Sequence, residues 1–204
     1  MITIGIVILT CAVSYFALNQ PQLLNKLSHH PFIERNHGEY HRLVSAGFVH
    51  GSFGHLAINM FVLFQFGPIV EEQLLGNKFG SFMGNMIYVG FYLSAIVIAN
   101  MGTFYKHGDN NRFSSIGASG VTSAIVFIYA FLDPWQMFLW PPIPAILFAI
   151  GYVVYSSWAS NKGRDNIDHL AHLYGGLYGI VFLFVVFPER IDIFWQRLTS
   201  FSGF

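Results

Sequence analysis

Five polar side chains stand out in an otherwise apolar sequence: His55 and Asn59, four residues apart; Ser119, in Gly117-Ala118-Ser119-Gly120; and His169 and His172, three apart. A serine held against a neutral imidazole is an activated nucleophile, with the histidine first accepting the serine proton and then delivering it to a leaving group. Four residues of helix rise about 6 Å and return to the same face, so His55 and Asn59 address one place. Ser119 follows a polar loop and opens an apolar run. It therefore starts a helix, where first-turn N–H groups have no intrahelical partner and the dipole favours a developing oxyanion. Thr122 and Ser123 add two hydroxyls to the same turns.

The elements that must position these groups follow from charge. Only 20 of 204 residues are Asp, Glu, Lys or Arg, and they leave six charge-free tracts: residues 1–25, 43–70, 79–105, 113–132, 134–161 and 169–188. Each tract is as long as the roughly 20 apolar residues that a helix needs to cross a bilayer. The runs are continuous rather than alternating, which argues for helices and against a transmembrane barrel. The expected fold is all-α, a polytopic membrane bundle with six transmembrane helices at about 2–19, 53–70, 80–101, 117–132, 138–158 and 169–187, in one domain over 1–204. The first tract lacks a basic leading region and reads as a retained span rather than a signal peptide.

Alternate spans run in the same direction. His55 and Asn59 in span two, Ser119 in span four, and His169 and His172 in span six all lie in the first turns of their helices, so they converge at one depth near one face. Polar groups inside a span face the bundle interior or a water-filled cavity. Gly175, Gly176 and Gly179 lie 3, 4 and 7 residues after His172 and share its face. Span four offers a matching small face at Gly117, Gly120 and Ala124. Small faces let helices approach closely in a bilayer, which brings His172 to Ser119. His169, one turn earlier, is the second possible base.

Taken singly, each residue has a plain structural explanation. An intramembrane serine usually bonds its own helix carbonyl, and an asparagine or a glycine face often serves packing. It is the convergence that points to catalysis. Charge and cysteine usage exclude other classes. Ten Lys and Arg balance ten Asp and Glu without forming a basic stripe, so nucleic acid is not an expected partner. Cys11 is the only cysteine, leaving no internal disulfide and no cysteine-based metal cluster. Two competing classes use the same polar residues: a metal or haem site built from His50, His55, His169 and His172, and a small transporter or channel. The first would have an unusually histidine-only shell, and the second would show repeats and broken helices that the sequence lacks.

The residues resemble the rhomboid family of intramembrane serine proteases, most closely the compact six-helix bacterial GlpG type. Three motifs carry the likeness: His50-x4-His55-x3-Asn59, Gly117-x-Ser119-Gly120, and Ala171-His172-x2-Gly175-x3-Gly179. The resemblance implies a serine endopeptidase with Ser119 as nucleophile and His172 as base, and no third acidic residue. It implies an oxyanion hole from the Ser119 N–H, Asn59 and His55, with His50 bonding to the first loop. It also implies no cofactor, transmembrane protein substrates, and residence in a lipid bilayer, the bacterial inner membrane. Oligomeric state is left open. Three positions depart from the GlpG pattern: His41 replaces a loop tryptophan, Glu71-Glu72-Gln73 replaces Glu-x-Arg, and Ser123 replaces a tyrosine that stacks on the catalytic histidine.

The long connection, residues 20–52, belongs on the outer side by this resemblance. The Lys and Arg count places it inside: three cationic residues lie at one face (Lys78, Arg190, Arg197) and seven at the other (Lys26, Arg35, Arg42, Lys106, Arg112, Lys162, Arg164).

Overall fold

Glu71 anchors the first helix from a distance. Its buried carboxylate accepts the N–H groups of Ile2 at 2.5 Å and Thr3 at 2.8 Å, two donors that the start of a helix cannot satisfy internally. In this computed structural model, which describes residues 1–138, 142–160 and 167–200, the chain is helical with no strand among the described residues. Lys162 and Arg164, counted above for orientation, lie outside them.

The first apolar tract forms α1, Ile2–Leu18. The connection after it is mostly helical: α2 is Pro21–Leu27, α3 is Pro31–His37, α4 is Arg42–Ser45, and a 3₁₀ turn covers Ala46–Phe48. Pro21 and Pro31 each stand at the first helical position, where the missing N–H costs nothing. Buried Arg42 ties the segment together. It donates to the carbonyls of Asn25 at 2.6 Å and Ser28 at 3.1 Å and pairs with Glu39 at 2.7 Å. Asn100 donates to Leu43 O at 2.9 Å, and His29 and Ser115 exchange both backbone bonds at 3.0 Å. The loop is thus held by arginine and backbone bonds, with His41 where the resemblance expects a tryptophan.

The second tract folds as α5, Phe53–Pro68, and continues through a π-helical segment, Ile69–Gly76, into α6, Asn77–Phe79. Wide turns follow directly on Pro68, whose ring disturbs the preceding turn and which has no N–H to donate. Gly80, with φ of 77°, breaks the chain into α7, Ser81–His107. The remaining helices are α8, Ser119–Leu132; α9, Ala145–Ala159; α10, His169–Val186; and α11, Arg190–Thr199.

Three of these stretches are long and apolar enough to cross a membrane: Phe53–Phe79, Ser81–His107 and His169–Val186. The other three tracts fold as shorter apolar helices, α1, α8 and α9. Two boundaries differ from expectation. The fifth helix begins at Ala145, not near 138, because Phe138 N bonds Ile143 O and Ala145 N bonds Gln136 O, turning this stretch back on itself. The link between α8 and α9, which the expected spans limited to residues 133–137, therefore runs from Asp133 to Pro144. α7 runs on to His107, beyond the expected end at 101.

α8 lies at the centre. Gly120 to Ile125 are all buried, as are Phe127, Ile128 and Ala130, and α10 packs along it on the glycine face. Side chains around the outside, such as Ile58 and Phe61, stay exposed, as a lipid-facing surface requires.

Candidate active site

The site forms where the starts of α5, α8 and α10 meet the end of α7. Ser52 caps α5 by accepting the His55 N–H at 3.1 Å, so His55 sits in the first turn and Asn59 one turn deeper. Asn59 donates to His55 O at 2.9 Å, and its Oδ1 lies 3.0 Å from Thr122 Oγ1 on α8. This bond ties the α5 pair to α8, the helix that Ser119 opens. His55 also meets the turn before Ser119: a Cβ built on Gly117 would come within 2.6 Å of His55 Cε1. Gly117 has φ of 122°, a conformation that side chains resist, so only glycine lets the imidazole approach here.

His50 joins three elements. Its Nε2 accepts the Ala118 N–H at 3.2 Å, so Nδ1 carries the proton and donates to Ser14 Oγ on α1 at 3.0 Å. Ser14 in turn donates to Phe48 O at 3.0 Å. Burial, and secondarily the neighbouring His55, push His50 down to about 3, which keeps it neutral and its acceptor nitrogen available. His50 thereby fixes the backbone one residue ahead of Ser119.

Ser119 is the first residue of α8, with Ala118 as its cap. Its carbonyl accepts from Ser123 Oγ at 2.7 Å and lies 3.2 Å from Thr122 Oγ1. α10 approaches without intervening side chains. A Cβ on Gly175 would overlap the Gly120 carbonyl, and one on Gly179 would overlap that of Ala124. A Cβ on Gly120 would lie 3.4 Å from Ala171 O, so the residues next to Ser119 and His172 are in contact. Asp168 caps α10 by accepting the Ala171 N–H at 2.9 Å, and it also accepts from Thr103 Oγ1 at 3.0 Å.

The sequence reading missed the polar end of α7. Asn100 and Thr103, three apart on one helix face, both point into this region, Asn100 onto the first loop and Thr103 onto Asp168. The signal was available, since α7 runs against α5, α8 and α10 and so ends where they begin. A cavity of about 10 Å³, space for about one water, lies between Ser119, Gly120, Asn100, Asp168 and Ala171.

Tyr152 on α9 was also missed. Its ring stacks on His172, with centroids 5.7 Å apart and planes 22° from parallel, and its hydroxyl lies 3.1 Å from Ser123 Oγ. His169, nearly fully buried, meets Tyr155 edge-on at 5.3 Å. Among the described residues, no group of three or more His, Cys, Asp or Glu could hold a metal ion.

A rhomboid-domain family model matches residues 37–189, three quarters of the chain and every helix that lines the site. RHOMBOID-like protein 12, mitochondrial, of Arabidopsis thaliana is 30% identical over 152 residues, 68% of this chain and 44% of that protein. Rhomboid-like protein 11, chloroplastic, of the same plant is 28% identical over 78% of this chain and 57% of its own length. The rhomboid YdcA of Bacillus subtilis (strain 168) is 25% identical over 75% of this chain and 70% of its own length. The chain thus spans about half the length of the two plant relatives. With a family model covering residues 37–189 and its motifs on helices that meet at one end of an apolar bundle, this chain belongs to the rhomboid family.

Proposed function

We propose that this chain is an intramembrane serine protease that cleaves transmembrane protein substrates through Ser119 and His172. The observation that carries the reading is the glycine contact between α8 and α10. It removes side chains from between the two helices exactly one residue away from the serine on one and three residues beyond the histidine on the other.

In the proposed reaction, Ser119 Oγ attacks a substrate carbonyl and passes its proton to His172, forming a C–O bond and an oxyanion. Collapse breaks the C–N bond, and the imidazolium gives the proton to the departing amine. Water then attacks the resulting ester, losing a proton to His172, and the proton returns to Ser119 as the acyl group leaves. The Ser119 N–H, unsatisfied within its own helix, together with Asn59 and His55, would hold the oxyanion. Gly117, Gly120, Gly175 and Gly179 keep the backbones close enough for this. His172 is favoured over His169 as base because Tyr152 links its ring, through Ser123, to the nucleophile's own carbonyl.

α8 has 14 residues and so rises about 21 Å, short of the ~30 Å hydrocarbon core. Seated at one interface, it leaves Ser119 roughly 9 Å inside the other, within reach of water through a polar dent. We read α1, α5 with its extension, α7, α8, α9 and α10 as six spans of one domain, in the compact GlpG arrangement. The bilayer is the working environment, nucleic acid is not a partner, and the compartment is the bacterial inner membrane. Organelle membranes, named for the plant relatives, are the alternative that cell fractionation decides. Side-specific labelling of the 20–52 loop decides orientation.

A fluorophosphonate probe tests the reading. The wild-type protein is expected to be labelled and the Ser119→Ala variant not. Labelling that survives in Ser119→Ala, or a wild-type protein that resists the probe while folded, overturns it.

A further inference from the structure

The face of the His172 ring is covered from a different helix, by Tyr152 of α9. α9 and α10 pack antiparallel, so a step of three residues forward on one matches three backward on the other. Tyr152 accordingly faces His172, and Tyr155 faces His169. Of the two contacts, only the first is a parallel stack; the second is edge-on at 84°.

The hydroxyl end of Tyr152 is equally committed. Ser123 Oγ has one proton and donates it to Ser119 O at 2.7 Å, so in the 3.1 Å contact Tyr152 O–H is the donor and Ser123 Oγ the acceptor. The chain of bonds runs from Tyr152 through Ser123 to the carbonyl of Ser119, while the face of the same ring lies on His172. One side chain from α9 therefore grips both α8 and α10. Ala145 and Ala149 bury the preceding turns of α9, and Phe127 meets the Tyr152 ring edge-on at 5.9 Å, which holds the ring in place from behind.

We infer that Tyr152 is a positioning residue for the base: with Ser123 as its link to α8, it sets the plane of the His172 imidazole relative to Ser119. The inference rests on the protease reading. Its consequence is that orientation of the base depends on α9 being docked, since displacing α9 withdraws the stack and the hydroxyl bond together.

The test uses the purified full chain in lipid, with three variants and two readouts: kcat and KM on a transmembrane substrate, and the rate of fluorophosphonate labelling. Tyr152→Leu is expected to lower kcat and the labelling rate by about 10- to 100-fold with little change in KM. Tyr152→Phe keeps the ring and is expected to recover most of that loss. Ser123→Tyr in the Tyr152→Leu background, which offers a ring from α8 instead, is expected to recover part of it.

Two results would overturn the inference. One is a Tyr152→Leu protein that labels and turns over like wild type. The other is a loss that Tyr152→Phe shares in full. A wild-type protein that neither labels nor cleaves instead overturns the protease reading and the inference with it, so the two failures are distinguishable.

Discussion

Gly175 on α10 lies against the carbonyl of Gly120 on α8 so closely that a Cβ at position 175 would overlap it. Nothing but hydrogen fits, and the contact sits one residue from Ser119 and three from His172. Gly175→Ala is therefore expected to push the helices apart, lowering protease activity at least about 10-fold, since a misplacement of about 1 Å can cost 100-fold. Gly151, on α9, has open space around it, and Gly151→Ala is expected to leave activity unchanged while stabilising the helix by about 0.5–1 kcal/mol. Cleavage assays and thermal melts of both variants check this.

Gly117→Ala should act through His55. The added methyl meets His55 Cε1 and forces a side chain into a backbone conformation with φ of 122°. The expected result is a stability loss of about 1–3 kcal/mol and a fall in kcat, because the imidazole assigned to the oxyanion hole is displaced. Comparison of kcat with the melting temperature separates the two effects.

The glycine faces, the three His, Asn and Ser motifs, and the six apolar tracts were legible because each is a local pattern. His172 with Gly175 and Gly179 obeys helical spacing within eight residues, and the shared depth follows from alternating direction alone. Tyr152 was not legible, since its partners Ser123 and His172 lie on other helices and only the α9 to α10 register brings them together. The folded-back link before Ala145 was hidden for a similar reason: Asp133-Pro134 marks a turn without saying how far the chain travels after it. The helical first loop likewise depends on tertiary bonds, those from Arg42 to the carbonyls of Asn25 and Ser28.

Glu71 caps α1 from the π-helical segment. Glu71→Ala leaves the N–H groups of Ile2 and Thr3 without that acceptor, and a destabilisation of about 2–3 kcal/mol is expected. The neighbouring Glu72 is exposed, and Glu72→Ala should change stability by no more than about 0.5 kcal/mol. Thermal melts in one lipid or detergent distinguish the pair.

His50 makes stability depend on pH. Its folded value of about 3 lies below the ordinary 6.5, so between these limits the unfolded chain binds a proton that the folded one does not. The contribution is fully present above about 6.5 and is lost as pH falls, at up to about 1.4 kcal/mol per pH unit. Melting temperature is expected to drop between pH 6.5 and 4, and the slope to flatten in His50→Gln. An equal slope in that variant would assign the effect to other groups.

The most direct measurement is cleavage of a transmembrane substrate in liposomes by wild type, Ser119→Ala, His172→Ala and His169→Ala, each purified free of other proteases. Cleavage by wild type, its loss to background in Ser119→Ala and His172→Ala, and measurable turnover in His169→Ala is the expected pattern. Undiminished cleavage by Ser119→Ala would contradict the serine mechanism outright.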